Sequence, residues 1–275
     1  MNLYPNTPEK QKKNTRIGIC KSMNEEENIA ATKKGFEASF KEGKLYDRQT
    51  QDAEHLEHII EALHVRPNDT ILDLGTGTGY VSLEIAKRYQ NANVIGLDIV
   101  EKALHTNRNK AEKENLNNIK FVSYNGIDLP FEDNFFDLIV TRYALHHFPK
   151  IEHTFAELAR VIKRGGKLVI ADPTPNEDDV PRFVDAYMKM KPDGHIKYYT
   201  KDEFEHFGGN VGFSLTNAFQ TEITFPRLKD TACAYDAIMS EYDRDIISGY
   251  QVYETQDGQY IYITQKVWNL TFTKI

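Results

Sequence analysis

Apolar positions recur at two different periods along the chain, and the changes of period mark its elements. Leu56, Ile59, Ile60 and Leu63 form one stripe at helical spacing and predict a helix over 50–64. Ile29, Ala30, Phe36 and Phe40 predict another over 26–45. Pro67-Asn68-Asp69 then breaks the pattern. Beyond it, short apolar runs over 70–74, 93–98, 119–123, 136–141 and 167–171 alternate with helical stretches over 79–88, 99–115 and 151–163. Phe155, Leu158, Ala159 and Ile162 share one side of the last helix, and Arg164-Gly165-Gly166 is expected to end it as a left-handed cap. The runs are almost wholly apolar rather than alternating, which fits strands buried on both faces. Strand–helix repeats of this length predict right-handed crossovers and a doubly wound, mostly parallel α/β sheet.

The pattern changes after Asp172. Pro173, Pro175, Pro181 and Pro192 interrupt an acidic and then aromatic stretch, so about 173–212 is expected to be a helical lid insertion. Residues 215–225 and 260–272 read as long strands, with a helix near 232–242 between them and a turn at Gln256-Asp257-Gly258. Long terminal strands of this kind suggest an antiparallel closure, giving seven strands in all. Residues 1–45 are expected to be an N-terminal arm and lid helix, with the main domain over 46–275.

Composition narrows the class. The 275 residues are 40% apolar, 27% charged and 11% aromatic, which fits a soluble globular chain and excludes wholesale disorder. The net charge of −7 gives no footprint for nucleic acid, and the Lys10–Lys13 cluster reads as a solvated arm. No apolar run approaches the roughly 20 residues of a membrane helix, and Met1–Lys21 lacks the apolar centre of a signal peptide. Cys20 and Cys233 form no paired-cysteine motif, so a cytoplasmic setting without metal or disulfide is expected.

Three of the 16 glycines fall within five residues, in Asp73-Leu74-Gly75-Thr76-Gly77-Thr78-Gly79. The loop lies between a strand and a helix, where glycines allow a tight turn and close approach to a ligand. Asp98 closes the next strand 19 residues beyond Gly79, near the ~20 expected of a carboxylate that accepts both ribose hydroxyls of an adenosine group. Dinucleotide sites use Gly-x-Gly-x-x-Gly, but here the spacing is Gly-x-Gly-x-Gly with Tyr80 following. Asp73 would repel a pyrophosphate and can organise an α-amino group, so the loop suits a zwitterionic, phosphate-free adenosine ligand.

With these motifs the sequence resembles the class I S-adenosylmethionine-dependent methyltransferases, above all the ubiquinone/menaquinone-biosynthesis type. Asn125-Gly126-Ile127-Asp128-Leu129-Pro130-Phe131 with Asp137-Leu138-Ile139-Val140, Ala144-Leu145-His146-His147-Phe148 and Lys163-Arg164-Gly165-Gly166-Lys167 match further family blocks. His195–Thr200 and Val211-Gly212-Phe213 resemble a segment of some relatives. The resemblance runs from about residue 46 to the C-terminus and is strongest over 70–172. It implies a Rossmann-like fold and S-adenosylmethionine as cofactor, with S-adenosylhomocysteine as product. Asp73, Gly75, Thr76, Gly77, Asp98, Ile99, Asn125, Gly126 and Thr141 would bind it. The family usually has Asp at the position of Asn125. Asn can still accept a bond from the adenine amino group through its oxygen, with Asp128 as the alternative acceptor.

A sulfonium methyl is already electrophilic, so in-line positioning matters more than acid–base chemistry. Candidate catalytic residues are Tyr46, which with Asp47 resembles a pair near the methionine end of the cofactor, and His146 and His147 after the fourth strand. A histidine there could deprotonate a phenol or an enol, or it could pack beneath the next helix. His195, Tyr198 and Tyr199 could touch substrate or pack the lid onto the core. The expected function is methyl transfer to a small molecule, with C- or O-methylation favoured, by a monomer or homodimer. The alternatives are cofactor binding without methyl transfer, a nicotinamide-dependent oxidoreductase, and a nucleic-acid methyltransferase. The net charge and Thr141-Arg142-Tyr143-Ala144 after the fourth strand count against the last.

Overall fold

The computed structural model describes residues 24–42, 51–229 and 234–275. After helices α1 (Glu25–Glu42) and α2 (Ala53–Leu63), the alternating region runs β1 (Thr70–Leu74), α3 (Tyr80–Arg88), β2 (Asn93–Asp98), α4 (Glu101–Lys113) and β3 (Ile119–Ser123). It continues with β4 (Phe136–Arg142), a 3₁₀ turn at Leu145–His147, α5 (Ile151–Val161) and β5 (Ile162–Thr174). Then follow α6 (Phe183–Met188), α7 (Lys201–Asn210), β6 (Phe213–Leu228), α8 (Tyr235–Glu241), α9 (Arg244–Gly249), β7 (Tyr253–Glu254) and β8 (Tyr260–Lys274).

The strands form one sheet in the order β3-β2-β1-β4-β5-β8-β6, with β7 added to β8. The first five pair in parallel, and β8 lies antiparallel between β5 and β6. The doubly wound, mostly parallel α/β sheet with an antiparallel strand is therefore as the sequence predicts. The two-residue β7 and the short α9 carry too little periodicity to be read from sequence. The chain order 3-2-1-4-5 reverses direction beside β1, which opens a crevice at the C-terminal ends of β1 and β4.

Both faces of the sheet are covered. Ile71, Val140 and Val169 pack on one side with Ile59, Leu63 and Ile85. Leu72, Ile139 and Ile170 pack on the other with Phe155, Leu158 and Phe204. Adjacent residues of one strand thus feed opposite cores, which is why the runs read as continuously apolar. The 173–212 stretch divides between two cores. Phe183, Tyr187 and Tyr198 join a satellite cluster with Tyr250 and Ile263, whereas Tyr199 and Phe204 belong to the main core.

Two local expectations are corrected. Arg164-Gly165-Gly166 does not cap a helix: α5 stops at Val161, and Ile162 is already extended and paired with Phe136. The register then shifts between Phe136 and Leu138, so the Gly-Gly pair forms a bulge within β5, with Gly165 at φ 78°. In α1 the buried positions are the polar Asn28 and Thr32, while Ala30 is exposed. Asn28 Nδ2 donates to the Gly194 carbonyl at 3.0 Å, so a polar contact seats α1 on the loop between α6 and α7.

Gly194 has φ 74°, and a Cβ there would stand 2.0 Å from Thr32 Oγ1 and 2.9 Å from the Asn28 carbonyl. Gly194→Val is therefore expected to unseat α1 while leaving the sheet folded. Hydrogen exchange should show α1 amides losing protection at least tenfold, with the β1 and β4 amides unchanged.

Candidate active site

The parallel register brings four strand ends to one edge. β1 delivers Asp73 and Leu74 into the glycine loop, β2 ends on Asp98, β4 on Arg142, and β5 carries Asp172. The loop folds back over β2: Gly75 and Thr76 both donate their N–H to the Leu97 carbonyl, at 2.8 and 3.0 Å. Gly75 takes φ 72° and lies against Ala144, whose Cβ would be 2.6 Å from a Cβ at position 75. At Gly77 the nearest atom to such a Cβ is 3.9 Å away, so the loop leaves open space on its ligand side.

Two buried carboxylates flank this loop. Asp73 Oδ2 accepts the Thr76 hydroxyl at 2.6 Å and the Ser82 N–H at 3.2 Å. Burial pushes its carboxyl up to about 6, against the bonds from Thr76 and Ser82. Asp98 Oδ2 accepts from Gly77 N–H at 2.8 Å and Oδ1 from Val100 N–H at 2.9 Å. Burial raises its carboxyl too, and these backbone donors oppose the rise.

Both acids face one concave, partly open cavity, the kind of place where small molecules bind. Its floor is the glycine loop with Ile99, Tyr124 and Gly126; Tyr80, Arg142, Tyr143, His147 and Phe148 form a wall; Ile29, Thr32 and Phe36 of α1 form the roof. Of the residues expected from sequence, Asp73, Gly75, Thr76, Gly77, Asp98, Ile99, Gly126 and His147 come together here.

Others lie elsewhere. The Asn125 oxygen accepts from the N–H groups of Ile127 and Asp128, at 2.8 and 2.9 Å, in an exposed turn. Asp128 pairs with His153 at 2.9 Å on the surface. Neither side chain lines the cavity. Thr141 is buried in β4, and its hydroxyl makes no hydrogen bond among the described residues. His146 stands behind His147, ring centroids 4.3 Å apart. Tyr198 donates its hydroxyl to Gln265 at 3.2 Å, and Tyr199 packs on Phe204 and Phe207. Tyr46 lies outside the described residues.

Several site residues escape the sequence reading. Asp172 Oδ1 meets His146 Nδ1 at 2.6 Å and Oδ2 accepts the His146 N–H at 3.2 Å, so one carboxylate holds both ring and backbone. On the wall, the Arg142 guanidinium lies 4.1 Å from the Tyr143 ring and 5.1 Å from that of Tyr80. Behind them Asn269 donates its amide to Thr221 at 3.0 Å, which turns its oxygen toward His55 Nε2 at 2.7 Å. His55 is thereby protonated on Nε2, and its Nδ1 lone pair accepts from Tyr143 at 3.1 Å and Arg142 at 3.3 Å. Burial and the Arg142 charge hold His55 down to about 4, so it stays neutral. Position at the C-terminal end of a sheet strand, the rule that finds Asp98, would also have pointed to Arg142 and Asp172.

Comparison with known proteins identifies the family of the domain that carries this arrangement. A family model described as a methyltransferase domain matches residues 66–223. An uncharacterized methyltransferase of Bacillus subtilis, YcgJ, is 28% identical over 155 residues, which is 56% of this chain and 60% of that protein's length. A demethylmenaquinone methyltransferase of Listeria welshimeri is 27% identical over 169 residues, covering 58% of this chain and 72% of the relative. The crystal structure of Bacillus subtilis YcgJ superposes with a TM-score of 0.68 at 22% identity, over 81% of this chain and 99% of that one. The matched region holds the glycine loop, both flanking carboxylates and the histidine pair, and this chain belongs to the methyltransferase-domain family.

Proposed function

We propose that this protein transfers a methyl group from S-adenosylmethionine to a small-molecule acceptor. The observation that carries this reading is the placement of Asp73 and Asp98 on either side of one glycine loop in a single cavity. Asp98 has one bond on each oxygen and lone pairs left for two ribose hydroxyls. Asp73 has its bonds on Oδ2 and fronts the cavity, where a cationic amino group would complement it. Gly126, Ile99 and Tyr124 would flank the adenine, with Asn125 or Asp128 reaching its amino group only if the exposed turn rearranges. Thr141 would act by supporting Leu74, its partner in β1. The same Asp73 charge disfavours the pyrophosphate of a nicotinamide cofactor.

When bound, the cofactor supplies a methyl whose bond to sulfur breaks with its electron pair left on sulfur, as the acceptor's electron pair forms the new bond. His147, which lines the cavity, would face the acceptor, with His146 and Asp172 behind it and Tyr46 as a further candidate at the methionine end. Phe36, Tyr143 and Phe148 give the cavity aromatic walls, which favours C- or O-methylation of a planar, activated acceptor. The Listeria relative, named for demethylmenaquinone, is consistent with that class. Tyr198 and His195 would support the site from behind His146, whereas Tyr199 would act only by holding the 173–212 stretch to the main core. A cytoplasmic monomer or homodimer without nucleic-acid partners completes the proposal; among the described residues no helix is long and apolar enough to cross a membrane.

Calorimetry with S-adenosylhomocysteine and with NAD, followed by methyl transfer to a panel of phenols, quinols and enolisable acids, tests the reading. Binding of NAD without S-adenosylhomocysteine would overturn it; cofactor binding without transfer to any acceptor would leave a binding protein.

A pH dependence follows from Asp73. Its carboxyl sits at about 6 in the free protein, and a cationic amino group prefers the ionised form. Binding is then linked to proton release, so affinity is full above about pH 6 and falls below it. S-adenosylhomocysteine should bind up to about tenfold more weakly for each unit of pH below 6. Asp73→Asn should bind weakly with that acid dependence removed, as calorimetry between pH 8 and 5 would show.

A further inference from the structure

The strand order sets out the cavity residues in a row. Along the sheet edge β3, β2, β1 and β4 stand side by side. Tyr124 follows β3, Asp98 ends β2, Asp73 lies near the end of β1, and Arg142 ends β4. All four line the cavity. On the methyl-transfer reading, adenine, ribose and amino group take the first three places in that order. Arg142 holds the fourth, one residue beyond the pairing of Leu74 with Thr141 that joins β1 to β4.

Arg142 is the one Lys or Arg side chain that lines the cavity among the described residues. Burial keeps His147 well below its ordinary value, so that ring is neutral, and the positive charge of the lining comes from Arg142. Three contacts fix its guanidinium. Nε donates to His55 Nδ1 at 3.3 Å, and the group lies 4.1 Å from the Tyr143 ring and 5.1 Å from that of Tyr80. His55 is itself buried and held by Asn269 at 2.7 Å. Tyr143 takes φ 55°, a costly conformation for an aromatic residue. Its N–H on the Ala171 carbonyl at 2.8 Å and its hydroxyl on His55 Nδ1 at 3.1 Å keep it there. The strained backbone thus brings the Tyr143 ring and hydroxyl to the contact between Arg142 and His55, and strain maintained beside a cavity points to a use for the side chains it places.

We propose that Arg142 holds the α-carboxylate of the cofactor's amino-acid end, and that His55 is the positioning residue that fixes Arg142 for it. The inference rests on the methyl-transfer reading and completes its account of that end of the ligand. The amino-acid end carries one cation and one anion on the same carbon. Asp73 on β1 complements the cation, and Arg142 on the neighbouring β4 complements the anion. A guanidinium can give a carboxylate two parallel N–H bonds, which a point charge cannot. One already anchored through Nε and two rings loses less freedom when it does so.

Calorimetry on the full chain with three ligands tests the assignment. S-adenosylhomocysteine carries both charges, its decarboxylated form keeps the amine alone, and methylthioadenosine lacks both. The parent should prefer S-adenosylhomocysteine to the decarboxylated form by at least about tenfold, and Arg142→Gln should remove that preference. Methylthioadenosine affinity should stay unchanged, which also shows that the variant is folded. His55→Phe takes away the acceptor of Nε; it should cut the same preference and serves if Arg142→Gln does not fold. A merely structural role would weaken all three ligands alike and leave the preference standing. No preference in the parent, or one kept within about threefold in both variants, would overturn the assignment alone. A parent that binds none of the three ligands would instead overturn the methyl-transfer reading, and this inference with it.

Discussion

Gly75→Val is expected to abolish measurable S-adenosylhomocysteine binding and to lower the thermal midpoint. Two costs add at this position. A β-branched residue at φ 72° is strained, at roughly 1–3 kcal/mol. The new Cβ would also stand 2.6 Å from Ala144 Cβ. That atom is the first of a short side chain on backbone held by the 3₁₀ turn, so it cannot swing aside, and overpacking of this kind costs about 1–3 kcal/mol. Relief requires the loop or the 144–148 turn to move, and both line the cavity. Gly75→Ala combined with Ala144→Gly removes the contact but keeps the strain, so it should recover about half of the stability lost in Gly75→Ala alone. Denaturant melts measure these terms and calorimetry the binding. Affinity in Gly75→Val within threefold of the parent would show that the loop does not lie against the ligand.

What made this site legible in the sequence is that its chemistry sits on the most regular part of the fold. Strands buried on both faces write continuous apolar runs, so the ends of β1 and β2 could be placed closely, and Asp73, the glycines and Asp98 followed from those ends. His147 was reachable for the same reason, standing just beyond β4. The misses have a common cause in contacts between distant segments. The buried face of α1 is polar because Asn28 meets Gly194, 166 residues away, and no local periodicity records such a partner. Tyr198 and Tyr199 are neighbours with the same chemistry, yet one packs against His146 and the other into the main core. Asn125 was matched by its place in a motif. Its side chain turns instead to its own loop, as Asn does wherever N–H groups two and three residues on are free. The bulge at Gly165 escaped because a glycine after a helical stripe reads equally as a cap.

Asp98→Ala is expected to weaken S-adenosylhomocysteine by about 100-fold or more, and on the proposed reading the ribose end of the ligand should suffer. Two ribose hydroxyls on this carboxylate would make charge-assisted bonds worth about 1.5–3 kcal/mol each, and the loss of about 2.7 kcal/mol already corresponds to 100-fold. The substitution also frees Gly77 N–H, which Asp98 holds at 2.8 Å, so the loop loses one of its ties to β2 and keeps those of Gly75 and Thr76 to Leu97. Asp98→Asn is no gentler. Both oxygens accept from backbone N–H groups, so an amide must turn its own NH₂ toward either Gly77 or Val100. A truncated ligand separates the two acids. Methylthioadenosine keeps the ribose and adenine but lacks the amino acid end. Asp98→Ala should weaken methylthioadenosine and S-adenosylhomocysteine by the same factor, whereas Asp73→Asn should weaken only S-adenosylhomocysteine. Equal losses for both ligands in Asp73→Asn would mean that Asp73 acts only by tying Thr76 and Ser82 into the loop. Unchanged methylthioadenosine binding in Asp98→Ala would remove Asp98 from the ribose altogether and leave Asp73 as the one other buried carboxylate that lines the cavity among the described residues.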